Sequence, residues 1–419
     1  MGVDLTVVGL GYVGLPLAYE AAHAGLTVRG YDVSQATVHG LNRGVSHIGD
    51  LVDDDIAAMR RHGFTATTES AALADSHTVV VCVPTPLAKS GGPDLTAVRA
   101  AASDIAAHLQ RGQTIILEST TYPGTTEDIV APILETSGLK SGEDFFLAFS
   151  PERIDPGNKQ FGVKNTPKVV GGISERSTVA AVDFYSQFID TVIQTSGTRE
   201  AEMAKLLENT YRHVNIALMN EMSRFCHDLG IDLWDVIKAA SSKPFGFQPF
   251  YPGPGVGGHC IPIDPNYLSY SVKERLGYPF RMVELAQEIN TMMPAYVVTR
   301  ISEILNQDGL ALKGTDVLLL GVTYKPDISD QRETPAVPIA KRLVDMGAGV
   351  SYHDPFVEHW SISGGEVPRA DDLDAAVADA DIVVLLQKHA SYDIAALSGQ
   401  SKRFFDTRGV THSGEVHTL

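Results

Sequence analysis

Cysteine is scarce in this chain: Cys82, Cys226 and Cys260 are the three among 419 residues. An odd, widely spaced set excludes a disulfide framework, and it supplies no Cys/His pairs at metal-ligand spacing, so no metal is expected. Long apolar runs are missing as well. None approaches the roughly 18 residues that span a bilayer, which argues against a membrane partner. The opening MGVDLTVVGLGY lacks the basic flank and long apolar core of a signal peptide, so a cytoplasmic, reduced protein is the expectation. Positive charge is in the minority, 33 Lys and Arg against 51 Asp and Glu, for a net charge of −18. No basic surface can dominate such a chain, and nucleic acid is not an expected partner. An anionic small molecule can bind only where local cations or backbone N–H groups reverse the field. What remains is an ordinary globular composition, 44% hydrophobic and 20% charged, long enough for two or three domains.

The first fifty residues carry an ordered set of signals. Leu5 to Leu10 is a short apolar run that leads into Gly9-Leu-Gly11-Tyr12-Val13-Gly14. Leu15 to Ala24 has helical composition, Gly25 closes it, and Leu26 to Tyr31 reads as a second strand ending at Asp32. Strand, GxGxxG, helix, strand and acid in that order make a dinucleotide site. The glycines admit a pyrophosphate, the helix N-terminus favours its charge, and the acid takes the ribose hydroxyls. With no Arg close behind Asp32, a 2′-phosphate would be repelled, so NAD is the expected cofactor. Further strands are expected at Thr78 to Val83, Thr114 to Leu117 and Phe145 to Phe149. Each ends in polar or turn residues: Pro84-Thr85-Pro86, Glu118-Ser119-Thr120-Thr121, and Ser150-Pro151-Glu152-Arg153. Cys82, inside such a strand, reads as core. Strands alternating with helical stretches imply a doubly wound sheet to about residue 195.

Arg199 to Leu229 then lacks Pro and Gly and stops at Gly230. A helix of that length runs roughly 45 Å and reads as a spine between domains and subunits. Lys205, Asn209 and Arg212 fall at i, i+4 and i+7, on one face; they form either a solvated polar stripe or a site. After a second helical stretch including Trp234 to Ala240 comes FYPGPGVGGHCIPIDP, Phe250 to Pro265. Gly253, Gly255, Gly257 and Gly258 between prolines can neither propagate a helix nor pair as a central strand, so the stretch is a loop whose backbone approaches something closely. It presents Cys260, with His259 before it and Asp264 after it. The bland reading is a tight turn with an inert Cys or a metal corner; the functional one is a reactive thiol. Arg281 to Leu305 is again helical, with Pro294 expected to start or kink a segment.

From Asp316 the opening pattern returns in DVLLLGV, AGVSYHDP and DIVVLLQ, without the glycine fingerprint. The link after DVLLLGV carries Lys325 and Arg332 on loops of an acidic chain, as surface ion pairs or as phosphate contacts.

Assembled, the motifs GLGYVGLPLA, CVPTP, ESTTYPGT, SPER, AKLLENTYRHVN, GVGGHCIPIDP, GVTYKPD and DQRETPA span nearly the whole chain in order. The chain thereby resembles the nucleotide-sugar 6-dehydrogenase family. The resemblance implies an α/β protein with two Rossmann-like doubly wound domains joined by a long central helix and a helical dimerisation domain. It divides the chain into 1–197 for NAD, 198–305 for the helical centre and 306–419 for the nucleotide sugar. It also implies a homodimer and a four-electron oxidation of a C6 alcohol to the acid, with two NAD. Cys260 is then the nucleophile that retains the aldehyde as a thiohemiacetal and yields a thioester. Lys205 and Asn209 stabilise the oxyanion, and Thr120, Glu152 and Asp264 are the candidates for proton transfer or water placement. The cofactor set implied is Gly9, Gly11, Tyr12, Val13, Gly14, Asp32, Thr85, Pro86, Thr120 and Arg332. For the substrate it is Glu152, Arg153, Lys205, Asn209, Arg212, Asn215, Phe250, Tyr251, Gly255, Gly257, Gly258 and Lys325.

His259 and Ile263 stand where the glucose enzymes of the family carry Ser or Tyr and Lys, and Arg212 and His213 replace small or apolar residues. These departures resemble the UDP-N-acetylhexosamine branch, gluco or manno. UDP- or TDP-glucose oxidation by the same route is the alternative. A single-oxidation hydroxyacid-type dehydrogenase, needing one NAD and no thiol, is the second.

Overall fold

The computed structural model describes residues 2–49, 51–88, 92–154, 158, 160–258, 261–411 and 416–419. His259 and Cys260 lie outside the described residues. The chain forms two compact units, Met1–Glu208 with Asn266–Gly277, and Asn209–Pro265 with Tyr278–Leu419. The protein is an α/β protein.

The first unit is built on eight strands: β1 (Val3–Val8), β2 (Val28–Tyr31), β3 (Thr65–Thr67), β4 (Ser76–Val81), β5 (Thr114–Leu117), β6 (Phe146–Phe149), β7 (Lys168–Gly172) and β8 (Val192–Gln194). Their order is β3-β2-β1-β4-β5-β6-β7-β8. All neighbours are parallel except β6 and β7, which are antiparallel. Alternation at period two makes both faces apolar. Leu5, Val7, Val80 and Ile116 join one cluster, while Val8, Val79, Val81 and Ile115 join the other, as a sheet covered on both sides requires. The strand order reverses direction between β1 and β4, and ligands of open α/β sheets bind at the carboxyl ends of the strands at such a point.

The second unit repeats the theme with β9 (Asp316–Leu320), β10 (Gly349–His353), β13 (Ile382–Leu385), β14 (Phe404–Asp406) and β15 (Val416–Thr418), in the order β10-β9-β13-β14-β15 and wholly parallel. A small antiparallel hairpin, β11 (Ser361–Ile362) and β12 (Gly365–Glu366), stands apart. The switch between β9 and β13 matches the one between β1 and β4.

The spine helix is Thr198–Asp228, 31 residues or about 46 Å. The division between the units falls within it, after Glu208. Met203, Leu207, Tyr211, Leu218 and Phe225, spaced by fours and sevens, are exposed along it. One local expectation is narrowed and one is corrected. Pro294 starts no new segment: the helix runs unbroken from Arg281 to Gln307 with Pro294 buried inside it. Val283, Ala286, Met293, Val297, Ile301 and Ile304 form one buried stripe along that helix, and this tertiary burial overrides the local breaker. The stretch from Phe250 also does not remain a loop to Pro265, because a helix begins at Asp264 and continues to Leu276. Proline in a first turn has no intrahelical N–H bond to forfeit. Among the described residues no helix is long and apolar enough to cross a membrane.

Candidate functional site

The carboxyl edge of β1 is shaped by three glycines with three different reasons. Gly9 has φ 91°, and its N–H donates to the Tyr31 carbonyl at 2.8 Å. A Cβ there would sit 2.8 Å from the Cys82 carbonyl oxygen. At Gly14 a Cβ would run into the Gly9 carbonyl and come within 2.9 Å of Val7, so the helix Gly14–His23 could not pack on β1. Gly11 is exposed, and no described residue lies within 4 Å of a Cβ built there. The space above Gly11 is free for a ligand's backbone approach. Asp32, half-buried, accepts from Leu10 N at 2.9 Å and Ser34 N at 2.8 Å, which fixes one carboxylate beside the glycine turn with lone pairs left over for ribose hydroxyls. These residues fit a dinucleotide. Tyr12 and Pro86 are exposed at the same edge, Val13 is half-buried, and Thr85 is buried. The Thr85 hydroxyl donates to the Thr120 carbonyl at 2.8 Å, and its own carbonyl accepts from the Tyr267 hydroxyl.

Beneath β5 to β7 lies a buried ionic group spread over fifty residues of sequence. The Lys168 ammonium is 2.9 Å from Glu118 and 3.4 Å from Glu152, and it also stands 5.2 Å over the Tyr185 ring. Tyr185 donates its hydroxyl to Glu118. Burial pushes the Glu118 carboxyl up, opposed by Lys168. Burial pulls the Lys168 ammonium down, but the two carboxylates outweigh it and hold its pKa above the usual lysine value. Glu152 is thus held beside a permanent cation, and its other oxygen accepts from Ile154 N at 2.5 Å. Cys82 touches the same environment; burial pushes its thiol well up, as suits a packed side chain and not a nucleophile. Arg153 pairs with Glu208 at 2.6 Å. Lys205 is buried and has no ion-pair partner among the described residues.

In the second unit, Asn209 donates from Nδ2 to the Asp264 carboxylate at 2.6 Å, both side chains buried. This pairing joins residues 55 apart and ties the start of the Asp264 helix to the spine. The glycine loop approaches its own chain. A Cβ on Gly257 or Gly258 would lie 2.7 Å from Tyr324, and one on Gly255 2.9 Å from Pro335. Gly258 N donates to the Arg332 carbonyl at 3.0 Å. The close neighbour demanded by those glycines is therefore the Tyr324–Pro335 link. Phe250 sets its ring edge-on to Tyr211, and Tyr251 stacks on Trp234. Lys325 is half-buried. Arg332 forks onto Asp330 at 2.6 to 3.0 Å with its side chain about half exposed. Arg212 is exposed, although Lys205 and Asn209 are buried. Asn215 donates to the Tyr211 carbonyl of its own helix at 2.7 Å.

Three groups escaped the sequence reading. Lys168 carried a signal, a lysine opening the apolar run KVVGG. Arg408 follows β14, a cation at a strand's carboxyl end. Its Nε donates to the Leu386 carbonyl at 2.7 Å, and no carboxylate pairs with it among the described residues. Burial pushes the guanidinium down to about 10, which leaves it charged at neutral pH. A Cβ on Gly253 would be 3.2 Å from its Nη1, so the arginine abuts the glycine loop. The third is His389, buried against Asp354 at 3.0 Å. Among the described residues no group of three or more His, Cys, Asp or Glu could hold a metal ion.

Comparison with known proteins follows the same division of labour. The UDP-glucose/GDP-mannose dehydrogenase family matches in three parts, its NAD binding domain over residues 3–189, its central domain over 199–292 and its UDP binding domain over 318–413. The chain is 37% identical over 357 residues to a UDP-N-acetyl-D-glucosamine 6-dehydrogenase of Pseudomonas aeruginosa, covering 85% of this chain and 83% of that one. It is 34% identical to a UDP-N-acetyl-D-mannosamine dehydrogenase of Methanocaldococcus jannaschii, covering 94% and 87%. The structure of a UDP-D-ManNAc dehydrogenase from Pyrococcus horikoshii superposes with a TM-score of 0.90 at 31% identity, covering 99% of each chain.

Proposed function

Because the chain belongs to the UDP-glucose/GDP-mannose dehydrogenase family and is an NAD-dependent nucleotide-sugar dehydrogenase, we propose that it oxidises the C6 alcohol of a UDP-N-acetylhexosamine, manno or gluco, to the uronic acid. The names of its relatives and the His259 and Ile263 departures support that sugar class. The observation that carries the mechanism is the buried Asn209–Asp264 pair. It fastens the segment that begins four residues after Cys260 to a helix whose preceding turn carries the buried Lys205.

Gly9, Gly11, Gly14 and Asp32 would hold NAD, which would supply the hydride acceptor, two NAD per sugar. The chain does the rest. Glu152, beside Lys168, takes the alcohol proton or activates water, with Thr120 placing it. The Cys260 thiolate adds to the C6 aldehyde, forming a C–S bond and an oxyanion. Loss of a second hydride from that carbon leaves a thioester, and water cleaves it to the carboxylate and the free thiol. Lys205 and the Asn209 amide, oriented by Asp264, stabilise the oxyanion, where fixed donors in a dry site are worth several kcal/mol. Lys325 and the half-buried Arg408 neutralise the diphosphate, while the loop from Phe250 to Gly258 holds base and ribose. The exposed stripe Met203, Leu207, Tyr211, Leu218 and Phe225 is the face a second copy covers in a homodimer. A free catalytic thiol suits the reducing cytoplasm.

Turnover of UDP-ManNAc, UDP-GlcNAc and UDP-glucose, read as NADH formed per sugar consumed, tests the proposal. Turnover of UDP-glucose alone would keep the chemistry and overturn the choice of sugar.

A further inference from the structure

The second sheet retains more of the dinucleotide geometry than its sequence suggests. Gly321 follows β9 with φ 76° and donates to the His353 carbonyl at 3.0 Å, as Gly9 does to Tyr31 after β1. Asp354 follows β10 and accepts from Val322 N and Phe356 N, both at 2.8 Å, as Asp32 accepts from Leu10 N and Ser34 N. Here the correspondence stops. Asp354 is fully buried, and its Oδ2 meets the His389 imidazole at 3.0 Å. An imidazole stands where the first unit leaves room for ligand hydroxyls.

The other ring nitrogen decides what the pair does. Asp327 N lies 3.0 Å from His389 Nδ1. A backbone N–H can only donate, so Nδ1 is the acceptor and the proton sits on Nε2, facing Asp354. Two further bonds from the same segment reach the same turn: Gln387 Nε2 donates to the Tyr324 carbonyl at 2.9 Å, and Ala390 N donates to Asp327 Oδ1 at 2.7 Å. Asp327 has φ 62°, a left-handed conformation that persists in a non-glycine residue only where its surroundings hold it. The turn so held carries Lys325, and its Tyr324 side chain is the surface against which Gly257 and Gly258 pack.

We propose that the Asp354–His389 pair is a positioning device for the nucleotide-sugar side of the reaction. The acid that the first unit leaves beside its open glycine turn serves here as an anchor that sets the Tyr324–Asp327 turn, and through Tyr324 the glycine loop two residues before Cys260. His389 acts through the turn and touches no reacting atom. The inference rests on the nucleotide-sugar reading above.

Two isosteric variants of the full-length protein separate its halves. His389→Gln keeps an N–H toward Asp354 but loses the acceptor for Asp327 N–H. His389→Asn keeps an acceptor at the Nδ1 position and loses the bond to Asp354. In steady-state kinetics with UDP-ManNAc or UDP-GlcNAc, His389→Gln should raise the KM for the sugar about tenfold, the scale of one lost buried hydrogen bond, with kcat and the KM for NAD within about twofold. His389→Asn should recover most of that loss. Should His389→Gln fail to fold, Gln387→Met, which removes the second clamp while leaving the imidazole in place, should raise the same KM. A folded variant with an unchanged KM for the sugar, or equal losses in both His389 variants, overturns the inference while wild-type turnover keeps the functional reading intact. If the wild-type protein turns over no nucleotide sugar, both fall together.

Discussion

Asp32 and Asp354 end the second strand of their respective sheets, and each accepts two backbone N–H groups in the same way. The first is half-buried beside an open Gly11; the second is sealed behind His389. One topology therefore carries two kinds of site. Where the glycine turn is open the acid is left for a ligand, and where it is closed the acid is consumed in holding a loop. A sheet order alone does not say which; the exposure of one carboxylate does.

The largest expected effect is one the two sheets share. Gly9→Val and Gly321→Val each place a Cβ against a carbonyl at 2.8 and 2.5 Å with φ in the left-handed region. Each should cost about 4 kcal/mol, read from urea unfolding midpoints. If one is tolerated, the likeness of the two turns is superficial. Next comes a pH effect confined to the second unit. Burial pushes His213 down to about 4, so between its ordinary value of 6.5 and 4 the unfolded chain binds the proton and the folded chain does not. Stability should fall by about 3 kcal/mol as pH drops across that window and hold steady above it. His213→Gln should flatten the slope, and an unchanged slope would assign it elsewhere.

The sharpest contrast is Asp354→Asn against Asp32→Ala. Hydrogen bonds from His389, Phe356 and Val322 overcome the desolvation of Asp354 and hold its carboxyl below the usual range, so its contribution is present at neutral pH and lost as pH falls through that lowered value. Asp354→Asn should lower stability by about 2 kcal/mol without moving the KM for NAD. Asp32→Ala should cost stability as well, because it unpairs Leu10 N and Ser34 N, but in addition it should raise that KM about tenfold. Equal behaviour of the two variants would erase the distinction. Smallest is Gly11→Ala, a methyl that meets no protein atom. A few-fold rise in the KM for NAD at constant Tm is expected, and a lowered Tm would mean the space is not a ligand's.

Local signals were legible from residues alone. The strand–glycine–helix–acid run, the glycine-free spine and the glycine–proline loop each state a backbone requirement within a dozen or so neighbours. The α/β class followed from strands alternating with helical stretches, and the observed sheets bear it out. What stayed hidden depends on partners far away in sequence. Lys168 has its meaning only beside Glu118 and Glu152, and Asn209 finds Asp264 across 55 residues. Arg408 was one arginine among many until burial set it against Gly253. Of the two outcomes expected at Pro294, a new start is not seen, because a buried stripe outweighs one missing N–H. The helix at Asp264–Leu276 was masked by the loop residues that precede it.

The measurement that bears most directly on the proposed chemistry is the number of NADH formed per UDP-N-acetylhexosamine consumed, compared between the wild-type protein and Cys260→Ser. Two per sugar for the wild type, with the variant stalled after the first oxidation, is the predicted result. One per sugar, or a variant as active as the wild type, would contradict the thiol-bound four-electron route.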